Sequence, residues 1–319
     1  MCIIPLKRPE CHEYGENILL SDIPDVKEFY EYKEGDHKLK LTFWGTRGSI
    51  PSPGKGREYY GGNTTCVELI LKSGRQIIID AGTGIRELGN NMLKNKMVVD
   101  NSYIIFTHFH WDHIQGLPFF VPAYIKGNIF TVMGVETDPD KLHEIISNQM
   151  KTPYFPVGLE TMKTQMRFER LFKQNFEIDD VKISYTNTNH PQPTLAFRFE
   201  ENGKTITFMT DCELNSQSSD AKGIDYFAEF SKNSDYLIVD AQFTENELPN
   251  RFGWGHSSNM DALKLAILSK SKNLILFHHD PSHDDNFIDK MVKDVLSKAN
   301  EEKVNINCTA ARDYDSIST

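Results

Sequence analysis

The chain has 319 residues, of which 39% are hydrophobic and 25% charged, and this balance excludes a wholly disordered protein. Its 45 Asp and Glu residues against 35 Lys and Arg residues give a formal net charge of −10. A surface this acidic repels nucleic acid and anionic lipid, since Lys and Arg are the residues that bind phosphates. We therefore expect no stable nucleic-acid partner and no membrane partner, and an anionic substrate would need a local positive centre.

The five cysteines are scattered and form no Cys-x-x-Cys pair, which argues against a disulfide framework and against a thiolate zinc site. The N-terminal residues contain no long apolar segment of the signal-peptide type, and no apolar run reaches membrane-spanning length. These features predict a soluble protein of the reducing cytoplasm.

The elements follow one another in a simple order along the chain. Residues 1–38 are rich in charge and proline, and we interpret them as an N-terminal extension. From residue 39 onward, short apolar runs bounded by Gly, Pro and Asn predict strands at 40–44, 67–71, 76–79, 103–106, 129–133, 181–185, 195–199, 205–209, 236–239 and 274–277. Segments with helical periodicity lie at 85–93, 142–150, 260–268 and 287–299. This order predicts mixed α/β layers in one domain over residues 39–319.

The strand predicted at 103–106 runs into a His-x-His-x-Asp-His sequence formed by His108, His110, Asp112 and His113. In an extended chain, residues two apart project to the same side, so His108 and His110 can hold one metal ion. The chain then turns, and Asp112 and His113 can address a second ion close by. Imidazole and carboxylate ligands suit Zn²⁺, with Mn²⁺ or Fe²⁺ as alternatives, and three His and one Asp within six positions favour a metal centre over a polar surface loop.

Three further candidate ligands follow predicted strands elsewhere in the chain. His190 follows the strand at 181–185, Asp211 follows 205–209, and His278 follows 274–277. Taken singly, each could be an ordinary loop residue.

Together these motifs resemble the metallo-β-lactamase superfamily, and within it the RNase Z-like phosphodiesterase branch, over roughly residues 39–310. The resemblance implies a four-layer αββα sandwich, preceded here by the short N-terminal extension. Residues 78–84 resemble the first motif of that family, in which Asp80 would orient a ligand rather than bind metal. His279 competes with His278 for the last motif, and alignment on Pro281 favours His278. The implied ligand sets are His108, His110 and His190 for one metal, Asp112, His113 and His278 for the other, and Asp211 as the bridge.

Two details favour the phosphodiesterase branch. Asp211 stands where antibiotic-hydrolysing lactamases carry Cys, and residues 253–258 resemble a His-Ser-Thr motif whose histidine lies near the scissile phosphate. That resemblance makes His256 the acid that protonates the leaving oxygen, although it could instead cap the following helix through Ser257 and Ser258. Asp112 and His256 are therefore the candidate catalytic residues.

The resemblance implies a dinuclear hydrolase in which two divalent ions lower the pKa of a bridging water, so that hydroxide attacks phosphorus. Only twenty residues separate His190 from Asp211, too few for the arm with which RNase Z holds tRNA. We therefore expect small anionic phosphodiesters, such as cyclic nucleotides, as in the anti-Pycsar and phosphonate-pathway relatives. A hydrolase of a carboxylic ester, thioester or lactone on the same fold is the alternative, and a non-enzymatic metal-binding scaffold is the weakest hypothesis. Related dimeric enzymes also raise the expectation of a homodimer.

Two Gly-rich loops, at 43–51 and 60–65, resemble segments beside the active site of this branch. Arg47 could offer a bidentate guanidinium to the substrate phosphate, with a structural ion pair as the alternative. Asn63 is a second candidate for substrate binding, or it could fix its loop by hydrogen bonds. Tyr154 and Phe155 could wall the cleft or pack on the core.

Overall fold

The computed structural model describes residues 39–97, 99, 101–171 and 173–319. The predicted extension over residues 1–38 lies outside the described residues, so its separation from the folded domain stays a prediction. Among the described residues, no helix combines the length and the apolar character needed to cross a bilayer.

The described part of the chain forms strands and helices in alternation. The strands are β1 (Lys40–Gly45), β2 (Cys66–Ile70), β3 (Gln76–Ile79), β4 (Ser102–Phe106), β5 (Ile129–Gly134), β6 (Gln165–Phe168), β7 (Asn175–Ile178), β8 (Val181–Asn187), β9 (Leu195–Glu201), β10 (Lys204–Met209), β11 (Tyr236–Asp240), β12 (Asn273–Phe277), β13 (Asn307–Ala310) and β14 (Ser316–Ser318). The helices are α1 (Gly84–Lys94), α2 (Trp111–Ile114), α3 (Pro139–Asn148), α4 (Ile224–Phe230), α5 (Asn259–Leu268) and α6 (Asp285–Glu301), and short 3-10 helices lie at Leu117–Phe119, Val121–Tyr124, Leu159–Thr161 and Leu248–Asn250.

The strands build two seven-stranded sheets. One has the order β14-β1-β2-β3-β4-β5-β6 and the other β13-β12-β11-β10-β9-β8-β7. Neighbouring strands are parallel from β3 to β6 and from β10 to β13, and antiparallel elsewhere. Parallel strands place their carboxyl ends at the same edge of a sheet, so the loops that follow β3, β4, β10, β11 and β12 gather into a common region.

Three apolar clusters separate four layers. The central cluster lies between the two sheets and includes Phe43, Phe199 and Phe208. A second cluster packs α1 and α3 on the outer face of the first sheet, and a third packs α4, α5 and α6 on the second sheet. Strands such as β3, with all four residues buried, are covered on both faces and therefore read as continuous apolar runs. The predicted four-layer αββα sandwich is confirmed.

Phe199 tests the contribution of the central layer to stability. Its side chain is fully buried on β9, and its ring stacks on that of Phe197 at a centroid distance of 6.1 Å. Phe199→Ala should lower the free energy of unfolding by about 3–5 kcal/mol, because it removes buried apolar area and leaves a cavity. Urea denaturation measures the change, with Tyr154→Ala as the control, since Tyr154 is 83% exposed and its loss should cost no more than about 0.5 kcal/mol. Equal effects of the two variants would contradict this placement of the core.

Candidate metal centre

The candidate ligands lie in the loops that follow the parallel strands. Asp80 follows β3, His108 to His113 follow β4, Asp211 follows β10, and His278 follows β12. Asp80, Asp211 and His278 adopt positive φ angles of 61°, 52° and 62°. Residues other than glycine rarely adopt this left-handed conformation, which here turns the chain sharply as it leaves each strand. The same edge of the fold therefore collects all these side chains.

One group of ligand atoms surrounds Oδ1 of Asp211. Nε2 of His108 lies 3.7 Å from this oxygen and Nε2 of His190 lies 3.9 Å from it. Nδ1 of His110 is 3.2 Å from Nε2 of His190. All four residues offer ligand atoms within 4.8 Å of one another, which is a spacing that a single cation can bridge.

A second group surrounds Oδ2 of the same carboxylate. Nε2 of His113 lies 3.3 Å and Nε2 of His278 lies 3.4 Å from this oxygen. Oδ2 of Asp112 is 3.3 Å from each of these two nitrogens. The two oxygens of Asp211 thus face two different groups of ligands, which is the arrangement expected of a carboxylate that bridges two cations.

The chemistry of the donor atoms fits a metal. Nε2 of His108 and Nε2 of His113 are buried and have no hydrogen-bond partner among the described residues, a costly state that a cation would relieve. Burial also lowers the pKa of His108 well below its usual value, which favours the neutral ring that metals bind. Burial would raise the pKa of Asp211, but His278 and His113 outweigh it and hold that pKa well below its ordinary range.

Asp80 orients one of the ligands. Its Oδ2 accepts a hydrogen bond from Nδ1 of His113 at 2.8 Å, and its two oxygens also accept from the amide and the hydroxyl of Thr107. A proton held on Nδ1 leaves Nε2 of His113 free to face the centre. Nδ1 of His190 likewise donates to the carbonyl of Gly255 at 3.1 Å. These hydrogen bonds to Nδ1 of His113 and His190 therefore fix Nε2 as the nitrogen that each ring directs toward the other candidate ligands.

His256 lies beside the two groups and pairs with Asp240, a residue that the sequence analysis missed. Nδ1 of His256 donates to Oδ2 of Asp240 at 2.8 Å, and the His256 ring stacks on that of His278. Burial lowers the pKa of His256, but the Asp240 carboxylate outweighs it and the pKa rises to about 9. Asp240 is the last residue of β11, and Asp80 and Asp211 likewise follow the ends of β3 and β10. This shared position at a strand end is the sequence signal that could have identified Asp240.

The helix that follows has its own cap. Ser258 is the N-cap residue of α5 and forms a reciprocal capping box with Asp261. The hydroxyl of Ser257 donates to the carbonyl of Cys212 at 2.6 Å. Capping is therefore carried out by Ser258, and the imidazole of His256 is not needed for it.

A cleft of about 500 Å³ opens over the two groups of ligands. Its lining residues are Ser49, Phe109, His110, Trp111, Asp112, Gln192, Asp211, His256 and His278. The cleft thus brings the two candidate catalytic residues and the Asp211 carboxylate to one surface.

The structure corrects the role predicted for Arg47. Its side chain is fully buried and does not line the cleft. Nε donates to the carbonyl of Gly61 at 2.9 Å, and Nη1 donates to the carbonyls of Asp280 and His283 at 3.0 and 2.7 Å. Arg47 ties loops together through backbone carbonyls, so neither phosphate binding nor the alternative of an ion pair describes it.

Asn63, Tyr154 and Phe155 also lie away from the cleft lining. Oδ1 of Asn63 accepts a hydrogen bond from the hydroxyl of Thr83 at 3.2 Å, as the loop-fixing alternative expects, and its role in substrate binding stays a prediction. Tyr154 is exposed, and Phe155 packs edge-on against Phe119 at a centroid distance of 5.7 Å.

The structure also separates the two adjacent histidines after β12. Nε2 of His279 donates to the carbonyl of Ala311 at 2.8 Å, whereas His278 joins the ligand group of Asp112 and His113. Gly48 lies so close to the His278 ring that a Cβ at this position would clash with it. His278 is therefore the member of the pair that faces the centre.

Comparisons with known proteins agree with this geometry. A family model described as a beta-lactamase superfamily domain matches residues 75–279, which is more than half of the chain. Ribonuclease Z of Prochlorococcus marinus (strain MIT 9515) is 22% identical over 325 residues, covering 86% of this chain and 98% of the relative.

Two solved structures share the fold. A diphosphatase from the PhnP family has a TM-score of 0.62 and 16% identity, covering 88% of this chain and 98% of its own. Human tRNase Z, short form, has a TM-score of 0.59 and 20% identity, with the same coverage of both chains.

Removal of the Asp80 carboxylate tests the orientation of His113. Asp80→Asn should weaken metal binding by about 10- to 100-fold, because the amide no longer fixes the ring through an anionic acceptor. Competition with a chelator followed by metal analysis measures the loss. Asp179→Asn is the matched control, since Asp179 pairs with Arg75 at 2.8 Å away from the centre and should leave metal affinity unchanged. An Asp80 variant with full affinity would refute the role.

Proposed function

We propose that this chain, a member of the beta-lactamase superfamily in its RNase Z-like branch, is a dinuclear-metal phosphodiesterase. Its proposed substrates are small cyclic or nucleotide-type phosphodiesters. The relatives named ribonuclease Z and the similar diphosphatase support a metal-dependent hydrolase of the phosphodiesterase type. One observation carries the dinuclear mechanism: the two oxygens of Asp211 each face a separate group of ligands.

The residues that would hold the two cations are those of the two groups. His108, His110 and His190 would hold one ion, Asp112, His113 and His278 the other, and Asp211 both. When bound, a pair of divalent ions supplies an activated water near neutral pH and positive charge for the phosphoryl oxygens. Zn²⁺ is the first candidate because imidazoles dominate the set, with Mn²⁺ or Fe²⁺ as alternatives.

His256 is placed to act on the leaving group. Its Nδ1 is held by Asp240, so Nε2 is the nitrogen that remains for the substrate in the cleft. We assign Nε2 the transfer of a proton to the departing alkoxide oxygen. The amide of Ser257 also donates to Asp240, so the pair is fixed from two sides before a substrate arrives.

Asp112 combines two roles in this proposal. Its Oδ2 faces His113 and His278 and accepts a hydrogen bond from the amide of Ser49 at 2.7 Å. The Asp112 side chain also lines the cleft, where it can accept the proton that the attacking water loses. The short chain segment between His190 and Asp211, formed by β9, β10 and their turn, leaves the cleft open to small substrates.

Substrate turnover tests the proposed reaction. The metal-loaded protein should hydrolyse bis(p-nitrophenyl) phosphate and at least one member of a cyclic nucleotide panel, because both present a phosphodiester to the cleft. A lactone and a thioester serve as competing substrates, with metal analysis of the same preparation. Rapid lactone cleavage by fully metallated protein without phosphodiester turnover would overturn the proposal in favour of the esterase alternative.

Two histidine variants separate metal binding from proton transfer. His110→Ala should lose metal and activity together, because it removes a ligand. His256→Ala should keep its metal but slow kcat by about 10²- to 10⁴-fold, the usual contribution of a general acid. His143→Ala, an exposed histidine whose ring contacts Phe168 far from the ligands, is the control and should retain both metal and activity. Loss of metal from the His256 variant would show that its role is misassigned.

A further inference from the structure

Trp111 is unusually exposed for its position. It stands between the candidate ligands His110 and Asp112, yet 79% of its surface is exposed, although proteins usually keep tryptophan largely buried. It is the first residue of α2, whose buried residues are Asp112, His113 and Ile114. Among the residues that the structure describes, the indole has no hydrogen bond and no ring contact, and only the backbone carbonyl of Trp111 is bonded, to the amide of Gln115. Packing therefore does not explain why a large ring stands here.

The cleft beside Trp111 has aromatic walls and neither Lys nor Arg in its lining. Trp111 and Phe109 both line it, and no Lys or Arg is among its lining residues. Phe109 is held in place by the ring of Phe106, at a centroid distance of 5.9 Å. Arg47 is bonded to carbonyls elsewhere, so the cleft presents aromatic ring faces, and no Lys or Arg, to the organic part of a substrate.

This surface suits one kind of organic group. Aromatic side chains bind planar rings by stacking, and they do so without requiring a charge. Gln192 lines the same cleft, and its amide carries both a donor and an acceptor, the combination that the edge of a nucleobase can pair with. Gln192 is exposed, and within the described part of the chain its side-chain amide has no protein partner, whereas its backbone carbonyl accepts from the hydroxyl of Thr194. A ring face and a free amide together favour a nucleobase over a simple aryl or alkyl group.

We propose that Trp111 is a stacking platform for the nucleobase of the substrate, so that the site selects nucleotide phosphodiesters over phosphodiesters of ring-free alcohols. This inference rests on the proposed phosphodiesterase function. Trp111 contacts the base and takes no part in breaking the P–O bond. Trp111 is exposed on the single turn of α2, so its indole can contact a base without any movement of the candidate metal ligands.

Two cyclic substrates with the same strained ring test the platform. Adenosine 2′,3′-cyclic phosphate carries a base and glycerol 1,2-cyclic phosphate does not. The phosphomonoester product of each can be measured by the phosphate that a coupling phosphatase releases from it. The metal-loaded wild-type protein should prefer the nucleotide in kcat/KM. Trp111→Leu should reduce this preference roughly tenfold or more, chiefly through KM, because stacking is lost. Trp111→Phe keeps a ring and should retain most of the preference.

Tyr154→Leu is the matched control, since Tyr154 is 83% exposed but does not line the cleft. Its preference for the nucleotide should equal that of the wild type. Metal analysis of every variant verifies that the ligands beside position 111 are still occupied.

A binding measurement separates failure of the platform from failure of the proposed function. Calorimetric titration with adenosine 3′-monophosphate and with glycerol phosphate should show that Trp111→Leu weakens nucleotide binding more than glycerol phosphate binding. If wild-type protein cleaves neither cyclic substrate, the phosphodiesterase function fails and the titration alone decides on the platform. Equal losses for both substrates and both products would overturn the role of Trp111. An unchanged preference for the nucleotide in Trp111→Leu would also overturn it, whatever the oligomeric state in size-exclusion chromatography.

Discussion

The position of Asp211 between two groups of candidate ligands is the constraint on which the rest of the structure depends. Five imidazoles and two carboxylates share one buried centre, and their ligand atoms approach closely enough to compete for the same space. Without cations, such a centre leaves buried nitrogens unpartnered and charges poorly compensated. The sandwich provides rigid parallel strands whose ends hold these groups at a common edge. The free-energy cost of burying unpartnered polar groups is therefore confined to one place.

A second ring of buried polar residues keeps the ligands in position. Asp80 holds His113 and Thr107, and Asp240 joins His256 to the amides of Asp211 and Ser257. Each of these carboxylates therefore connects segments that are distant in sequence. Such preorganisation is what a catalytic centre requires, because a side chain free to rotate would lose both metal affinity and alignment.

Most of the fold was predictable from hydrophobic periodicity, and the missed strands share a physical cause. The ten predicted strands correspond to β1–β5 and β8–β12, and the four predicted helices to α1, α3, α5 and α6. The strands that were missed, β6, β7, β13 and β14, are the four edges of the two sheets. Edge strands are short and partly exposed, so their sequences lack the continuous apolar run of a strand covered on both faces.

The candidate site was predictable where spacing along the chain carries the information. The cluster from His108 to His113 is local, and the order of the later motifs pointed to His190, Asp211 and His278. Arg47 shows the limit, because bonding to distant carbonyls leaves no local pattern, whereas Asp240 could have been found from its place at a strand end but not its pairing with His256. Which way a side chain points depends on tertiary packing, and Arg47 turned inward where a phosphate ligand was expected.

The left-handed turns at Asp80, Asp211 and His278 have a consequence for the life of the protein in the cell. Each such turn costs of order 1–3 kcal/mol, and it persists because the surrounding contacts compensate for it. Ions that bind only the folded form shift the unfolding equilibrium by mass action. When the divalent metal is scarce, newly made chains should therefore unfold more often and be degraded sooner.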